Sequence, residues 1–227
     1  MPMTSSIVSA PAHLAHCGTL FSSEGGKDRF ASYAFLRPVL RELWCLYDHY
    51  ASEAEYADVP WWYGERTVVG HLTAAAFRAG YCALEDFTCE KGPGEPKGRL
   101  DWVVGRNQWR EAVQAEIKST WVSVDAAWDG VDLLLKEAAE KVAEYETTLG
   151  VKTLHKLAMV LVRPYYPKGQ SYEDQRRAWI GEEDAYLPAG ADFCAYYWLA
   201  KPYVGACMYG KCYHPGLLIC CKEVNAG

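Results

Sequence analysis

The sequence has no apolar run long enough to cross a membrane, no internal repeat and no extended low-complexity tract. A membrane-spanning helix needs about 20 apolar residues, so this class is not expected. No long linker rich in Ser, Gly or Pro divides the 227 residues. The N-terminus also lacks the basic and apolar regions of a secretory signal, and we therefore expect a cytoplasmic location.

Positive charge is in short supply, with 23 Lys and Arg against 29 Asp and Glu and a formal net charge of -6. Proteins that coat nucleic acid nonspecifically are usually basic, because their binding depends on neutralising phosphates. The charge balance excludes a coat protein of that kind. An acidic average is still compatible with a local basic groove beside a site in which carboxylates bind a cation.

The nine cysteines do not indicate a disulfide scaffold, which is typical of short secreted chains. Their number is odd and most lie in apolar segments, so we expect free and largely buried thiols. A zinc site is the alternative for a C-terminal cluster of Cys207, Cys212, His214, Cys220 and Cys221. This cluster has no C-x-x-C knuckle, and adjacent cysteines on a strand point to opposite faces.

Hydrophobic periodicity predicts one α/β domain over residues 28–227, after an irregular arm over residues 1–27. An amphipathic helix opens the domain, and Pro38 is expected to kink or divide it. The next helix ends at Gly80, and the three strands after it form an antiparallel meander. In chain order, we expect helices over 28–55 and 62–79, strands over 81–89, 99–104 and 111–122, and a long helix over 124–148.

The apolar run LAMVLV at residues 157–162 predicts a strand covered on both faces, as in the middle of a mixed or parallel sheet. A helix over 170–180 and two strands over 193–199 and 216–222 are expected to follow. The sequence therefore predicts an α/β sandwich with the order α-β-β-β-α-β. Its core spans about 62–163, and additional strands lie in a C-terminal extension over 164–227.

One carboxylate and an E-x-K pair lie on neighbouring predicted strands. Glu116 and Lys118 are two residues apart and share a face, whereas Asp101 interrupts the apolar run of the preceding strand. If the strands pair, Asp101 and Glu116 converge near a strand end. A half-buried pair of carboxylates is costly unless a proton or cation neutralises it. Mg²⁺ suits such a pair, because it takes oxygen ligands and keeps several waters.

The segments Leu100-Asp101-Trp102 and Ala115-Glu116-Ile117-Lys118-Ser119 resemble the motif of the PD-(D/E)xK nuclease superfamily, which has the restriction-endonuclease-like fold. The acids are fifteen residues apart, and the resemblance extends over about 62–163. Leu100 stands where the family often has proline. A second E-x-K, Glu95-Pro96-Lys97, is rejected because it lies in a turn rich in Gly and Pro.

The resemblance implies a Mg²⁺-dependent nuclease that hydrolyses phosphodiester bonds of DNA, with RNA as a second choice and Mn²⁺ as a substitute metal. Asp101 and Glu116 would ligate the metal, and the backbone carbonyl of Ile117 would add a further ligand. Lys118 would orient or activate the attacking water. The metal would act as Lewis acid and template for in-line hydrolysis. A homodimer is also implied, since members of this fold often dimerise to cut both strands.

Glu65 lies three and four residues before Val68 and Val69, and therefore on the buried face of its predicted helix. The resemblance gives it the role of an acid that holds a metal-bound water or a second ion. An acid in the first turn of a helix is also favoured by the helix dipole. Both interpretations stay open from the residues.

Several weaker candidates accompany this set. Trp61 and Trp62 could stack on bases, although tryptophans at a helix entry are more often core residues. Lys141 and Tyr145 could face the cleft, although Tyr145 belongs to an apolar stripe. Candidate phosphate contacts are the arginines at 99, 106, 110, 176 and 177, each more typical of a solvated surface charge.

The second functional hypothesis is a catalytically inactive protein of the same fold that acts as a protein- or nucleic-acid-binding accessory module.

Overall fold

The computed structural model describes residues 15–22, 30–54, 58–89, 97–123, 128–146, 150–167, 169–180, 187–199 and 212–224. Its helices are α1 (Ala31–Glu53), α2 (Glu65–Arg78), α3 (Asp129–Ala143) and α4 (Tyr172–Ile180), and a short 3₁₀ helix spans Pro60–Tyr63. Its strands are β1 (Ala15–Phe21), β2 (Cys82–Cys89), β3 (Gly98–Arg106), β4 (Glu111–Ser123), β5 (Thr153–Pro167), β6 (Phe193–Leu199), β7 (Cys212–Tyr213) and β8 (Gly216–Val224). None of the described helices is long and apolar enough to cross a membrane.

The strands form an eight-stranded mixed sheet in the order β1-β6-β8-β5-β4-β3-β2, with β7 paired to β5. β4 and β5 are parallel, whereas β2, β3 and β4 form the antiparallel meander that the sequence predicts. The α/β class and the element order α2-β2-β3-β4-α3-β5 are confirmed. The two C-terminal strands β6 and β8 join the same sheet instead of forming a separate one.

β5 lies between β8 and β4, and residues 157–162 on it are fully buried, which confirms the prediction for LAMVLV. Alternate side chains serve the two faces of the sheet. Leu157, Met159 and Leu161 pack in the cluster that contains the apolar residues of α1 and α2. The residues between them pack in the cluster that contains those of α3 and α4. Helices therefore cover both faces, and charged side chains on β4 near the sheet centre are held between layers.

The N-terminal segment departs from the prediction of an irregular arm. Residues 15–21 form β1, which pairs antiparallel with β6 from Ala15↔Leu199 to Phe21↔Phe193. The partner is almost 180 residues away in the chain, so local pattern carried no signal for it. A Cβ at Gly18 would lie 2.6 Å from the hydroxyl of Tyr196, so a larger residue at this position would require the Tyr196 side chain to move. The rest of the predicted arm lies outside the described residues, apart from Ser22.

The first two helices differ from the sequence prediction in their interruptions. α1 continues through Pro38, so this proline does not divide the helix, and the alternative expectation of a kink stays a prediction. A break occurs instead before α2, where Gly64 has a φ of +102° between the 3₁₀ helix and Glu65. Glycine adopts that conformation at little steric cost. This break makes Glu65 the first residue of α2, while Gly80, with a φ of +81°, follows its end as predicted.

Candidate active site

Asp101 lies at the point where β3 separates from β4. The β3–β4 ladder runs from Arg106↔Glu111 to Trp102↔Ala115 and ends one residue before Asp101. Beyond this point, Oδ2 of Asp101 accepts the backbone N–H of Ile117 at 2.7 Å. The Asp101 carboxylate thus takes the place of a backbone carbonyl of β3. It satisfies the N–H of Ile117, which has no partner in the β3–β4 ladder.

Glu116 is a fully buried carboxylate on the α3 side of β4. Its Oε1 accepts hydrogen bonds from Nζ of Lys118 at 2.6 Å and from Nζ of Lys141 on α3 at 2.5 Å. Within the described part of the chain, its Oε2 is buried and accepts no hydrogen bond. Two ammonium groups therefore compensate the charge from one side and leave the second oxygen available.

The electrostatic environment shifts Asp101 towards its protonated form. Burial, together with the neighbouring Glu116 charge, raises the pKa of Asp101 to about 6. The Ile117 N–H, Lys141 and Lys118 act in the opposite direction. Burial lowers the pKa of Lys141, but the hydrogen bond to Glu116 and the nearby negative charges together outweigh burial, and the pKa ends above its ordinary value. A cation beside the two acids would favour their ionised forms.

Glu65 shares a small cleft with Asp101 on the α2 side of the sheet. Glu85 and Asp86 of β2 line the same cleft, and Arg66 crosses it to bind Asp86 at 2.9 Å. Asp86 has a φ of +49°, and the β2–β3 pairing skips it opposite Asp101. The structure thus brings Glu65 near Asp101, while Glu116 and Lys118 extend towards α3. Asp101 is the residue common to both groups.

Arg163 of β5 is a charged residue at this end of the sheet that the sequence reasoning missed. Its side chain is buried, with 8% exposed, and its Nη2 donates to Oγ of Ser119 at 3.2 Å. The guanidinium lies 4.3 Å from the ring centroid of Trp121, its register partner on β4. Burial lowers the pKa of Arg163, and the charge of Glu65 acts in the opposite direction. The available signal was a lone charge directly after the apolar run 157–162.

His214 packs among aromatic rings beside Arg163. Its ring centroid lies 4.8 Å from that of Trp121 and 5.2 Å from that of Trp62. Burial, together with the Arg163 charge, lowers the pKa of His214 to about 4. Trp61, by contrast, is fully buried against Tyr47 and belongs to the core. Of the two tryptophans suggested by the sequence, Trp62 is thus the one near this end of the sheet.

The other residues suggested by the sequence, which are the cysteines, Arg106 and the second E-x-K segment, lie away from Asp101 and Glu116 or outside the described residues. The eight described cysteines form no disulfide with one another, and five of them are buried, as expected. Cys220 and Cys221 belong to clusters on opposite faces of the sheet, and Cys207 lies outside the described residues. Arg106 is engaged by Glu111 and Tyr81 at the far end of β3. Glu95-Pro96 lies outside the described residues.

The donor set at Asp101 and Glu116 fits a divalent cation held by few protein ligands. In the described ranges, no group of three or more His, Cys, Asp or Glu side chains is arranged to hold a metal ion. The available ligands are the free Oε2 of Glu116, the second oxygen of Asp101 and backbone oxygen. The N–H and C=O of a strand residue face the same neighbour, so the carbonyl of Ile117 faces the side of Asp101. Mg²⁺ commonly binds one or two carboxylates and completes its shell with water.

Comparisons of the chain with family models, with curated proteins and with solved structures return no match. The geometry described above therefore stands as the support for a functional proposal.

Proposed function

We propose that this chain is a Mg²⁺-dependent nuclease of the PD-(D/E)xK type, with the restriction-endonuclease-like fold. DNA is the expected substrate, and RNA is the alternative. The observation that carries the proposal is the buried Glu116, whose Oε1 is held by Lys118 while its Oε2 has no partner among the described residues. Asp101 is fixed beside it through Ile117. Two acids and a lysine at the end of two adjacent strands match the requirements of metal-assisted phosphodiester hydrolysis.

The metal ligands in this proposal are Oε2 of Glu116, the carboxylate of Asp101 and the carbonyl of Ile117. When bound, Mg²⁺ supplies Lewis-acid activation of a phosphoryl oxygen and lowers the pKa of water. The hydrogen bond from Ile117 to Asp101 fixes the carboxylate against β4. Lys118 and Lys141 hold the Glu116 side chain in one orientation and limit the repulsion between the two acids.

Lys118 also has a direct role in the proposed reaction. Its side chain is 31% exposed, so the ammonium contacts buried Glu116 and also reaches solvent. A cation at this boundary orients the attacking water and stabilises the negative charge that develops on the phosphoryl oxygens. Glu65, on the opposite side of Asp101, is proposed to position a water bound to the metal.

Cleavage of plasmid and labelled oligonucleotides tests the proposal. Wild-type protein is incubated with Mg²⁺, with Mn²⁺ and with EDTA, beside Asp101→Ala and Lys118→Ala. Lys136→Ala is the matched control, because Lys136 is an exposed lysine of α3 with only a 3.9 Å contact to Glu140. We expect metal-dependent cleavage by wild type and the control and none by the two site variants. Equal products from all four proteins, or none from folded wild type, would overturn it.

A catalytically inactive accessory module is the second candidate, and one observation favours it. Two lysines of the chain itself pair with Glu116 and compensate its charge. A site preserved only for stability would retain this internal pairing. Calorimetry distinguishes the two candidates, because the nuclease binds Mn²⁺ through Asp101 and Glu116, whereas the accessory module gives no heat of binding and forms a stable complex with a partner macromolecule.

A further inference from the structure

Arg163 is a buried charge without a counter-ion among the described residues. No carboxylate of those residues forms an ion pair with it, its Nε is buried without an acceptor, and its one hydrogen bond goes to the neutral Ser119. A buried charge is costly unless it is paired. Only 8% of Arg163 is exposed to solvent. This arrangement points to an anionic ligand.

The residues that contact Arg163 are aromatic or neutral, and Glu65, whose charge acts on it, forms no ion pair with it. Trp121 lies against the guanidinium at 4.3 Å and keeps 39% of its surface exposed. His214 packs on Trp121, and its low pKa keeps it neutral near pH 7. An exposed indole next to a guanidinium is a platform on which bases stack without regard to sequence. A base in a duplex is already stacked, so such a platform favours single strands.

The position of this platform relative to Lys118 follows from β4. Ser119 is the next residue along the strand, and Trp121 is three residues from Lys118. At about 3.3 Å per residue, the two residues lie about 10 Å apart along the strand, and their side chains leave opposite faces of the sheet because an odd number of residues separates them. A nucleic acid strand that passes over the end of the sheet must cover at least that distance, which corresponds to three or more nucleotides at about 3.4 Å each. Ser119 and Trp121 point to the α2 side, on which Glu65 also lies.

We propose that Arg163, Ser119 and Trp121 form a subsite that binds one phosphodiester and one stacked base of a single-stranded nucleic acid, a few nucleotides from the scissile bond. Arg163 donates to the phosphate with the N–H groups that Ser119 does not occupy, and Trp121 stacks on the base. The inference rests on the proposed nuclease function for the nature of the ligand. It specifies single-stranded DNA or RNA, or a frayed end, as the substrate.

Fluorescence anisotropy in EDTA tests the subsite without any cleavage. The probes are a labelled 12-nucleotide single strand and the same strand in a duplex, bound to the full chain. Variants are Arg163→Met, Arg163→Lys and Trp121→Ala, with Arg110→Met as control. Arg110, one of the arginines suggested by the sequence, is exposed in the turn before β4, about 35 Å along the strand from Trp121, so the structure places it outside the proposed subsite.

We expect wild type to bind the single strand more tightly than the duplex. Arg163→Met is expected to weaken single-strand binding about tenfold or more and to lower the salt dependence by about 0.7 in log–log slope. Arg163→Lys retains charge and loses less. Trp121→Ala, at a partly exposed position, is expected to weaken binding about tenfold, the loss of about 1.4 kcal/mol of stacking. Arg110→Met leaves single-strand affinity within about twofold.

The inference is overturned if duplex binds more tightly than single strand, or if neither Trp121→Ala nor a folded Arg163 variant weakens binding more than Arg110→Met. Should Arg163→Met fail to fold by circular dichroism, Trp121→Ala decides. If wild type cleaves, Lys118→Ala does not, and the Arg163 and Trp121 variants bind as wild type does, only the subsite is contradicted. If wild type does not cleave but the Arg163 and Trp121 variants bind the single strand more weakly, only the nuclease function is contradicted.

Discussion

The carboxylate of Asp101 accepts the backbone N–H of Ile117 at 2.7 Å, one residue beyond the last paired position of β3 and β4. The hydrogen bond continues the link between the two strands after their backbone ladder has ended. It also fixes one carboxylate oxygen and brings Asp101 alongside Glu116. The protonation state of Asp101 is thereby coupled to the stability of this end of the sheet.

Asp101→Asn is expected to stabilise the metal-free protein at neutral pH. The folded pKa of about 6 lies above the ordinary value of 3.8, so the native state binds more protons than the unfolded state between these values. Stability therefore falls as pH rises through that window. About two pKa units correspond to about 3 kcal/mol, which solvent screening of this partly exposed group reduces to about 1 kcal/mol. Asparagine still accepts the Ile117 N–H.

Urea denaturation in EDTA at pH 4 and pH 7.5 measures this difference. The gain in free energy of unfolding from Asp101→Asn should be present at pH 7.5 and nearly absent at pH 4. An identical gain at both pH values would show that ionisation of Asp101 costs nothing. Addition of Mg²⁺ is expected to reverse the order, because only the wild type has both metal-binding carboxylates.

Lys141→Met is expected to destabilise the fold by about 1–3 kcal/mol, because buried Glu116 then keeps only one ammonium partner. Lys136→Met on the exposed part of the same helix should change the free energy of unfolding by less than about 0.5 kcal/mol. Chemical denaturation of the two variants provides the comparison. Equal stabilities would mean that the contact between α3 and Glu116 does not stabilise the fold.

Glu65→Gln is expected to lower kcat about tenfold or more at saturating Mg²⁺, in the range typical of groups that position metal-bound water. KM for the nucleic acid should change little, because the side chain does not contact phosphate in this account. Glu85→Gln is the control, since Glu85 lines the same cleft and is exposed. Steady-state cleavage kinetics give kcat and KM for both variants. An equal loss of kcat in Glu65→Gln and Glu85→Gln would contradict a specific role of Glu65.

Gly216→Ala is expected to cost at least about 2 kcal/mol, because its Cβ would lie 2.2 Å from the backbone oxygen of Tyr197 between β8 and β6. Gly130→Ala in α3 meets no atom within 4 Å and should stabilise the fold by about 0.5–1 kcal/mol. Thermal unfolding of the two variants tests the position of β8 in the sheet. A tolerated Gly216→Ala would contradict that position.

The elements that could be predicted from the sequence are those with a strong local pattern. β6 matches the predicted residues 193–199, and β4 extends only one residue beyond its predicted end. Both carry dense apolar and β-branched or aromatic residues, for which burial decides the conformation. The central position of β5 could also be predicted, because a continuous apolar run requires cover on both faces.

Contacts between distant parts of the chain could not be predicted in this way. β1 depends on β6, and its short, glycine-containing segment has little strand signal of its own. The pairing of Lys141 with Glu116 depends on the rotation of α3 over β4, which periodicity does not fix to one residue. The contact between Arg163 and Trp121 depends on the parallel register of β4 and β5, which the sequence does not reveal. The E-x-K pattern located Glu116, but its complete burial follows from the three layers together.

Anomalous diffraction from a crystal soaked in Mn²⁺ tests the proposed metal site, because it locates the cation without reference to any substrate. We expect a peak bound by Asp101 and by Oε2 of Glu116, with the Ile117 carbonyl facing it. Glu116→Gln crystals should lack this peak. A soaked wild-type crystal with no peak at these carboxylates, and with Glu116 still held by Lys118 and Lys141, would contradict the account.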